Sequence, residues 1–264
     1  MCRLPRATDD PRTAVIDVHS HLLPGVDDGS RSFETSVAVL TKFAEQGVEC
    51  VVLTPHLNVS RMHDAPYERH LEILTELRAK APAIPELKLG WEIMLDEPGK
   101  DLRSPRYSLG GAPAVLVEFP LSGVPEQGGA ELNRIKDSGV VPVLAHPERY
   151  WGCSVGKVER WRRDGAVIQM DTAGLLGRGR IAKMSRQLLE HGLVDLFASD
   201  NHGDTRSLAA ARDWLREISA PEHAELLTRE NARRLLDGQP LLPVPPLPSD
   251  TGLFSRFREI FLGR

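Results

Sequence analysis

Short apolar runs rich in β-branched residues recur along the chain and alternate with segments whose apolar positions have helical spacing. The runs predict seven strands, at residues 14–18, 49–53, 87–91, 114–118, 140–145, 166–170 and 194–198. The segments between and after them predict helices at 33–46, 67–80, 127–138, 156–163, 180–191, 207–217 and 227–236. Glycines follow four of these helices, as expected at helix C-termini; they are Gly47, Gly139, Gly165 and Gly192.

The apolar runs are continuous rather than alternating, which is typical of strands buried on both faces in a parallel sheet. Seven strand–helix units predict an α/β fold, a distorted (β/α)7 barrel related to the eight-stranded TIM barrel. An open, doubly wound sheet is the alternative architecture. The barrel is expected to occupy residues 1–238, because the proline-rich stretch QPLLPVPPLPSD that follows is typical of an extended linker.

The last residues, 251–264, carry five large apolar side chains at helical spacing and three arginines. These predict a short amphipathic helix, so residues 239–264 are interpreted as a linker and tail. The tail either packs on its own barrel or contacts a partner or a membrane surface. The apolar residues are Leu253, Phe254, Phe257, Ile260 and Phe261, and the arginines are Arg256, Arg258 and Arg264.

The composition of the chain disfavours several classes of protein. The chain has 264 residues, of which 41% are hydrophobic and 27% charged, and its net charge of -4 disfavours a dedicated nucleic-acid binder. No apolar run approaches the length of a membrane span, and residues 1–12 lack the apolar core of a signal peptide. Three scattered cysteines, Cys2, Cys50 and Cys153, suit free thiols in a reducing compartment, so a cytoplasmic protein is expected.

Metal-type side chains follow nearly every predicted strand. In a parallel barrel, functional groups lie at the carboxyl ends of the strands. Six of the seven predicted strands here are followed by a histidine, an aspartate or a glutamate that we regard as a candidate metal ligand. The sixth strand differs and is followed by Asp171. The candidates are, in chain order, His19, His21, Asp28, His56, Glu92, Glu118, His146, Asp200 and His202.

So many imidazoles and carboxylates exceed what one ion needs, because a zinc site takes about four ligands, whereas bridging carboxylates let two or three ions share a set. Nitrogen and oxygen ligands without cysteine suit Mn²⁺, Fe or Zn²⁺. The other four histidines lie on predicted helices or in a loop and are not expected to be ligands. Of these, His70 and His223 are predicted on helix surfaces, and the other two are His63 and His191.

Seven motifs carry a family resemblance that extends from Ile16 to Leu236: IDVHSHLLPGVDDG, LTPH, GWEI, VEFP, AHPERY, ASDNH and ENARRLL. With these motifs the sequence resembles the PHP (polymerase and histidinol phosphatase) superfamily. Within it, the sequence is similar to the bacterial protein-tyrosine phosphatases of capsular and exopolysaccharide operons. The combination of the first motif with AHPERY is far more specific than the His-x-His pair alone.

The resemblance implies three divalent metal ions, Mn²⁺ in the first place, with Fe or Zn²⁺ as alternatives. It implies that His19, His21, Glu92 and Asp200 hold the first ion, that Glu92, Glu118 and His146 hold the second, and that Asp28, His56 and His202 hold the third. Whether Asp27 or Asp28 is the ligand stays open, with Asp28 favoured. The resemblance also implies phosphate-binding roles for Arg149 and Arg206. Two departures from the family pattern concern substrate contacts: Leu57 follows TPH where a histidine is frequent, and Asp171 stands where asparagine is usual.

The implied activity is hydrolysis of phosphotyrosine, with a membrane-bound tyrosine kinase of polysaccharide export as the expected protein substrate and capsule synthesis as the regulated process. A cysteine nucleophile is disfavoured, because tyrosine phosphatases of that type require Cys-x5-Arg, and the residues six positions after the cysteines are Thr8, His56 and Glu159. One alternative is a small-molecule phosphoesterase, such as histidinol-phosphate phosphatase. Another is a non-catalytic regulator that binds a kinase, for which a broken ligand set would be expected. An amidohydrolase would require lysine at the position of Glu118.

Overall fold

The structure, a computed structural model, describes residues 14–120 and 123–248. Its strands are β1 (Val15–Ser20), β2 (Val48–Leu53), β3 (His56–Asn58), β4 (Glu86–Leu89), β5 (Glu92–Met94), β6 (Ala114–Glu118), β7 (Val141–Ala145), β8 (Val167–Asp171) and β9 (Leu196–Ala198). Its helices are α1 (Phe33–Glu45), α2 (Tyr67–Lys80), α3 (Gly128–Asp137), α4 (Val155–Arg163), α5 (Thr172–Leu176), α6 (Gly179–Glu190), α7 (Leu208–Glu217), α8 (Pro221–Glu225) and α9 (Asn231–Leu236).

Two of the seven predicted strands, those at 49–53 and 87–91, continue after a short break into a second segment that was not predicted. β2 and β3 are separated only by Thr54 and Pro55, and β4 and β5 only by Gly90 and Trp91. Backbone pairing continues through both breaks, since the Gly90 N–H donates to the Leu53 carbonyl over 2.8 Å and the Glu92 N–H donates to the Pro55 carbonyl over 3.1 Å. The nine segments therefore make seven consecutive strands, all of them parallel, in the orders β1-β2-β4 and β3-β5-β6-β7-β8-β9.

Hydrogen bonds connect the last and first strands at their carboxyl ends. The Asp200 N–H donates to the His19 carbonyl over 3.0 Å, and the His21 N–H donates to the Asn201 carbonyl over 2.8 Å. An isolated bridge pairs Ser20 with Asn201, whereas the named strands β1 and β9 belong to separate sheets of three and six strands. The predicted α/β barrel fold of parallel strands is confirmed, in a form that is not fully closed between β9 and β1.

Both faces of the strands are covered. Alternate residues of a strand point to opposite faces, and in β2 this places Val51 and Leu53 in the large apolar cluster that includes Leu40 and Phe43 of α1. Cys50 and Val52 belong instead to a second, smaller cluster, to which α9 contributes Ala232 and Leu235. Burial on two faces explains why the strand sequences are continuous apolar runs.

Helix α1 shows how local sequence fixes these elements. Its N-cap Ser32 accepts a hydrogen bond from the Thr35 N–H, which satisfies one of the free donors of the first turn. The buried face of the helix has the spacing expected for an amphipathic helix and consists of Ser36, Val39, Leu40 and Phe43. Gly47, just beyond the helix, has a φ of 83°, and the other three predicted C-terminal glycines also have positive φ. The predicted helix ends are thus confirmed.

The placement of two histidines on helix surfaces is wrong. His70 and His223 are both buried. His70 shares a face of α2 with Ile73, Leu74 and Leu77 and contacts the ring of Trp91 at 4.7 Å between centroids. It lies at the helical spacing of those apolar residues, so the pattern contained the signal for its burial.

The proline-rich stretch is described as far as residue 248, where it is extended and lies against the barrel. Val244 and Leu247 are buried, and the Leu247 N–H donates to the Leu189 carbonyl of α6 over 2.9 Å. Asn231 of α9 receives the Leu242 N–H on its side-chain oxygen and donates to the Leu242 carbonyl. Over residues 239–248 the chain is therefore packed rather than free. The predicted amphipathic tail lies outside the described residues, and no described helix has the length and apolarity needed to cross a bilayer.

We expect Leu247→Ala to lower the free energy of unfolding by about 2 to 3 kcal/mol, because it removes a side chain that is only 2% exposed. Leu242→Ala, in the same stretch but at a side chain 37% exposed, is the matched control and should change stability by less than about 0.5 kcal/mol. Thermal or urea unfolding of both variants measures the difference. Equal effects would contradict the packed arrangement of residues 239–248.

Candidate metal centre

The nine predicted metal-type residues lie together at the carboxyl-terminal end of the barrel. Their donor atoms form four overlapping groups, and within each group all the atoms lie within 4.8 Å of one another. The groups are His19–His21–Asp200, His19–Glu92–His146, His56–Glu92–Glu118 and His21–Asp28–His56–His202. Most of these side chains are buried, whereas Asp28 and His56 reach solvent. The expectation that the strand ends converge is therefore realised in the structure.

Four donor atoms surround a single point. The Nε2 atoms of His19 and His21 are 3.1 Å apart, and each lies 3.3 Å from Oδ1 of Asp200. Oε2 of Glu92 is 3.4 Å from the first imidazole and 3.2 Å from the second. Ligands about 2.0 to 2.1 Å from a tetrahedral ion are themselves about 3.3 Å apart. These spacings and the nitrogen and oxygen donors fit a divalent first-row metal ion.

Glu92 connects this group to the next. Its Oε2 lies 3.1 Å from Nδ1 of His56, and its Oε1 lies 2.7 Å from Nε2 of His146. Glu118 completes the second group, with Oε1 at 3.6 Å from His56 and Oε2 at 3.9 Å from His146. A carboxylate whose two oxygens face different imidazoles has the geometry of a bridge between two ions.

The surroundings shift the pKa values of Glu92 and Glu118 in opposite directions. Burial opposes ionisation of Glu92, but the neighbouring imidazoles, His19 first among them, hold its pKa well below the usual range. Burial and the negative charge of Glu92 raise the pKa of Glu118 to about 7. For His146, burial is outweighed by the charges of Asp171 and Glu92, which raise its pKa to about 10. The charge of each of these three side chains therefore depends on the charged side chains beside it.

The third group distinguishes the two adjacent aspartates. Oδ1 of Asp28 lies 3.3 Å from Nε2 of His56 and 3.6 Å from Nε2 of His202, so Asp28 faces the predicted ligands. Asp27 instead places Oδ2 at 2.8 Å from Nδ1 of His21 and accepts the Gly29 N–H on Oδ1. A carboxylate on the far nitrogen of a histidine orients that ring toward a metal. The geometry thus supports Asp28 as the ligand and gives Asp27 an orienting role that the sequence did not reveal.

His56 occupies a place between the second and third groups. Its Nδ1 faces Glu92 and Glu118, while its Nε2 faces Asp28. The family resemblance assigned His56 to the third ion alone. The distances place one imidazole nitrogen beside each group.

Two of the candidate ligands have left-handed backbones. His146 has a φ of 34° and Asp200 a φ of 47°, values that non-glycine residues seldom adopt. Such residues cost on the order of 1 to 3 kcal/mol each and persist where the surrounding structure holds them. His146 directly follows β7 and Asp200 lies two residues after β9, so each left-handed residue stands where the chain turns at the end of a strand.

Two arginines lie on the outer side of the same centre. Nη1 of Arg149 donates to Oδ2 of Asp200 over 2.9 Å and contacts Oδ2 of Asp171 at 3.3 Å. Nη1 of Arg206 donates to the same Asp200 oxygen over 3.0 Å, and its Nε donates to Asp204. Asp200 thus presents one oxygen to the imidazoles and the other to both guanidinium groups.

The comparisons with known proteins agree with this arrangement. The sequence profile of a family described as "Capsular polysaccharide synthesis, CpsB/CapC" matches residues 15–237. Tyrosine-protein phosphatase YwqE of Bacillus subtilis (strain 168) is 28% identical over 245 residues, which cover 89% of this chain and 96% of that protein. Tyrosine-protein phosphatase CpsB of Streptococcus pneumoniae is 28% identical over 246 residues, which cover 85% and 99%.

A solved structure from work on YwqE of Bacillus subtilis and CpsB of Streptococcus pneumoniae, described as unique metal-dependent tyrosine phosphatases, superposes with a TM-score of 0.74. The sequences are 26% identical in this alignment, which covers 89% of this chain and 99% of the other. The similarity therefore includes the whole barrel and is not restricted to the strand ends.

Glu92→Gln should remove more than one equivalent of bound metal, because the uncharged amide replaces a carboxylate that faces both the first and the second group. Asp28→Asn is the matched control, since Asp28 is 70% exposed and faces only the third group. Elemental analysis of reconstituted protein gives the metal content of each variant. Near-normal metal content in Glu92→Gln would show that Glu92 is not a bridge.

Proposed function

Because this chain belongs to the CpsB/CapC family of capsular polysaccharide synthesis, we propose that it is a metal-dependent phosphatase that hydrolyses phosphotyrosine in proteins. The observation that carries the proposal is the complete set of nine candidate ligands with two arginines beside it. The names of the relatives YwqE and CpsB support the same activity.

Three divalent ions, with Mn²⁺ as the proposed metal, would be held by the residue groups described above, with Glu92 between the first two. When bound, such ions supply positive charge that polarises phosphoryl oxygens and lowers the pKa of water toward neutrality. The carboxylates and imidazoles of these groups would hold the ions, and Asp27, hydrogen-bonded to Nδ1 of His21, would orient that ring.

Arg149 and Arg206 would bind the phosphoryl oxygens of the substrate. Both guanidinium groups already face an anionic oxygen of Asp200, and hydrogen bonds between charged groups are stronger than those between neutral ones. Their charge would offset the negative charge that develops on the phosphoryl oxygens as the ester bond breaks. The leaving phenol has a pKa of about 10, so it needs less protonation than an alkyl alcohol would.

The described cysteines argue against a thiolate nucleophile. Cys50 and Cys153 are both buried, and burial raises the pKa of each thiol to about 12. A thiol with such a pKa remains protonated at neutral pH and is a weak nucleophile. We place the enzyme in the cytoplasm, a compartment in which cysteines without a disulfide partner persist as thiols.

The protein substrate that we propose is a membrane-bound tyrosine kinase of polysaccharide export, and the regulated process is capsule or exopolysaccharide synthesis. The capsular description of the family supports this choice. A small-molecule phosphoesterase, such as histidinol-phosphate phosphatase, would use the same metal centre and is the second candidate. A non-catalytic regulator is disfavoured, because all nine candidate ligands are present and converge.

The decisive experiment compares Mn²⁺-reconstituted protein on a phosphotyrosine peptide, histidinol phosphate and single-stranded DNA. We expect the highest kcat/KM for the phosphotyrosine peptide and no cleavage of DNA. A higher kcat/KM for histidinol phosphate would favour the second candidate. No turnover of either phosphoester by fully loaded protein would favour the regulator.

Chelation should abolish turnover of an aryl phosphate and Mn²⁺ should restore it, whereas thiol alkylation should leave the rate unchanged, since the buried thiols take no part. Cys153→Ser is the control for alkylation and should retain the rate of the unmodified enzyme. Initial rates before and after dialysis against a chelator provide the measurement. Full activity in metal-free protein, or its loss in Cys153→Ser, would refute the metal mechanism.

A further inference from the structure

Trp151 is an unusually exposed aromatic residue beside the candidate metal centre. Its side chain is 73% exposed, more than any other large apolar side chain among residues 14–120 and 123–248; the others that reach solvent are Ile84 at 50% and Leu242 at 37%. It lies two residues after Arg149. Tryptophan is enriched at protein interfaces, so this exposed ring, two residues from a proposed phosphate-binding arginine, is a candidate contact for a partner.

Arg180 of α6 lies over the Trp151 ring, with its guanidinium carbon 5.7 Å from the ring centroid. The same guanidinium donates to the Tyr150 carbonyl over 3.3 Å and to the Arg149 carbonyl over 3.1 Å. The neighbouring Tyr150 is fully buried and donates its hydroxyl hydrogen to the Ala145 carbonyl over 2.7 Å. Trp151 and Arg180, which we call the Trp151 surface, are therefore attached to the turn that carries Arg149.

The surroundings of the Trp151 surface are basic, although the chain as a whole has a net charge of -4. α6 contacts both α4 and the turn Pro147–Arg149, so the segments 149–164 and 178–186 adjoin each other. On the side of these segments that is near Trp151, the basic residues are Arg149, Lys157, Arg178 and Arg180. The end of α4 lies elsewhere, because Arg162 pairs with Asp195 and lines a pocket at the start of β8 together with Glu159 and Arg163.

We propose that the Trp151 surface binds the polypeptide that flanks the phosphotyrosine of the substrate, and that this flanking segment is acidic. The proposal rests on the proposed function, since it requires a phosphorylated residue at the metal centre. Tryptophan and arginine are the side chains that most often dominate the binding energy of interfaces. The local excess of positive charge would attract acidic residues and disfavour basic ones.

The test compares Trp151→Ala with wild type on an acidic phosphotyrosine peptide, the same peptide with basic flanks, and p-nitrophenyl phosphate. For the acidic peptide we expect KM to rise about tenfold with little change in kcat, as for loss of one aromatic anchor. The rate on p-nitrophenyl phosphate should not change, and wild type should prefer the acidic peptide over the basic one. Ile84→Ala, at an exposed apolar residue elsewhere, is the control and should match wild type throughout.

Several results would overturn the proposal. One is an unchanged KM for the acidic peptide in Trp151→Ala; another is an equal loss on p-nitrophenyl phosphate, which would mean that Trp151 only supports the catalytic turn. Weaker binding of the variant to anionic lipid vesicles, without any effect on peptides, would assign the surface to a membrane. If wild type hydrolyses p-nitrophenyl phosphate but no phosphotyrosine peptide, the proposed function itself fails.

A separate observation concerns His19. Its Nδ1 lies 3.0 Å from Oε1 of Gln169, and Nε2 of Gln169 donates to Oδ1 of Asp171 over 3.0 Å. The other oxygen of Asp171 faces Nη1 of Arg149 at 3.3 Å. His19, Gln169 and Asp171 are all buried, so this chain of hydrogen bonds is shielded from solvent.

The charge of Asp171 determines which atoms donate and which accept in this series of hydrogen bonds. An ionised carboxylate only accepts hydrogen bonds, so Asp171 selects the amide orientation of Gln169 in which the NH2 group faces it. The Gln169 oxygen then faces His19 and requires a proton on Nδ1. That tautomer leaves the lone pair of Nε2 directed at His21, Glu92 and Asp200.

We infer that Gln169 and Asp171 are positioning residues that fix the tautomer of His19 in which Nε2 can bind an ion. The inference depends on the proposed role of His19 as a ligand. Outer partners of this kind typically change metal affinity by about 10- to 100-fold. In Asp171→Asn the new amide can present either its oxygen or its nitrogen to Gln169, so the direction is no longer determined.

Zn²⁺-loaded wild type, Asp171→Asn and Gln169→Leu should be compared by ¹⁵N NMR of the histidine rings and by metal retention against a chelator. We expect the His19 signals to shift and Zn²⁺ to be lost about tenfold more readily in both variants. The His223 signals are an internal control and should not move, because that ring contacts the Pro245 carbonyl and belongs to none of the four donor groups. Unchanged His19 signals with normal retention, or an equal shift of the His223 signals, would overturn the inference.

Discussion

The burial of Glu92 among four imidazoles is the interaction on which the rest of the site depends. A carboxylate that is 1% exposed would be strongly destabilising if it lacked partners, and the same holds for the buried histidines around it. Each group is tolerated because the others lie close to it: His146 and His56 lie 2.7 Å and 3.1 Å from the Glu92 oxygens. The charged side chains at this end of the barrel therefore stabilise one another. Removing one of them leaves its neighbours buried without a partner of opposite charge, which lowers the stability of the protein.

The breaks in the strands help to bring these groups together. His56 begins β3 and Glu92 begins β5, and the two residues are direct partners in the parallel pairing of these segments. One strand further along, Met94 pairs with Glu118, so the second group follows from the register of three short strands. The strands are interrupted at Thr54–Pro55 and Gly90–Trp91, but backbone hydrogen bonds between the two neighbouring strands continue across these breaks. The left-handed turns at His146 and Asp200 bring in further candidate ligands from the later strands β7 and β9.

Much of this organisation was accessible from sequence because it depends on strand ends. A continuous apolar run followed by histidine or carboxylate predicts both the strand and a candidate ligand, and the structure brings His19, His56, Glu92 and Asp200 together at one end of the barrel. The outer shell could not be found in this way, because Gln169 lies within a strand and its contact with His19 joins residues 150 positions apart. Asp27 and Asp28 are equivalent in sequence, and only the turn geometry directs one to His21 and the other to solvent. The exposure of Trp151 depends on the packing of α6 and the fixed turn, which no local pattern encodes.

The two oxygens of Asp200 connect two binding events. Oδ1 faces His19 and His21, and Oδ2 receives both Arg149 and Arg206. An anion that draws the guanidinium groups toward itself leaves more negative charge on the side that faces the imidazoles. A cation held there, in turn, weakens the attraction of Asp200 for the arginines and releases them for the anion. If Asp200 holds an ion and the two arginines bind phosphate as proposed, metal occupancy and phosphate affinity are coupled through one carboxylate, and each changes the other by the same factor.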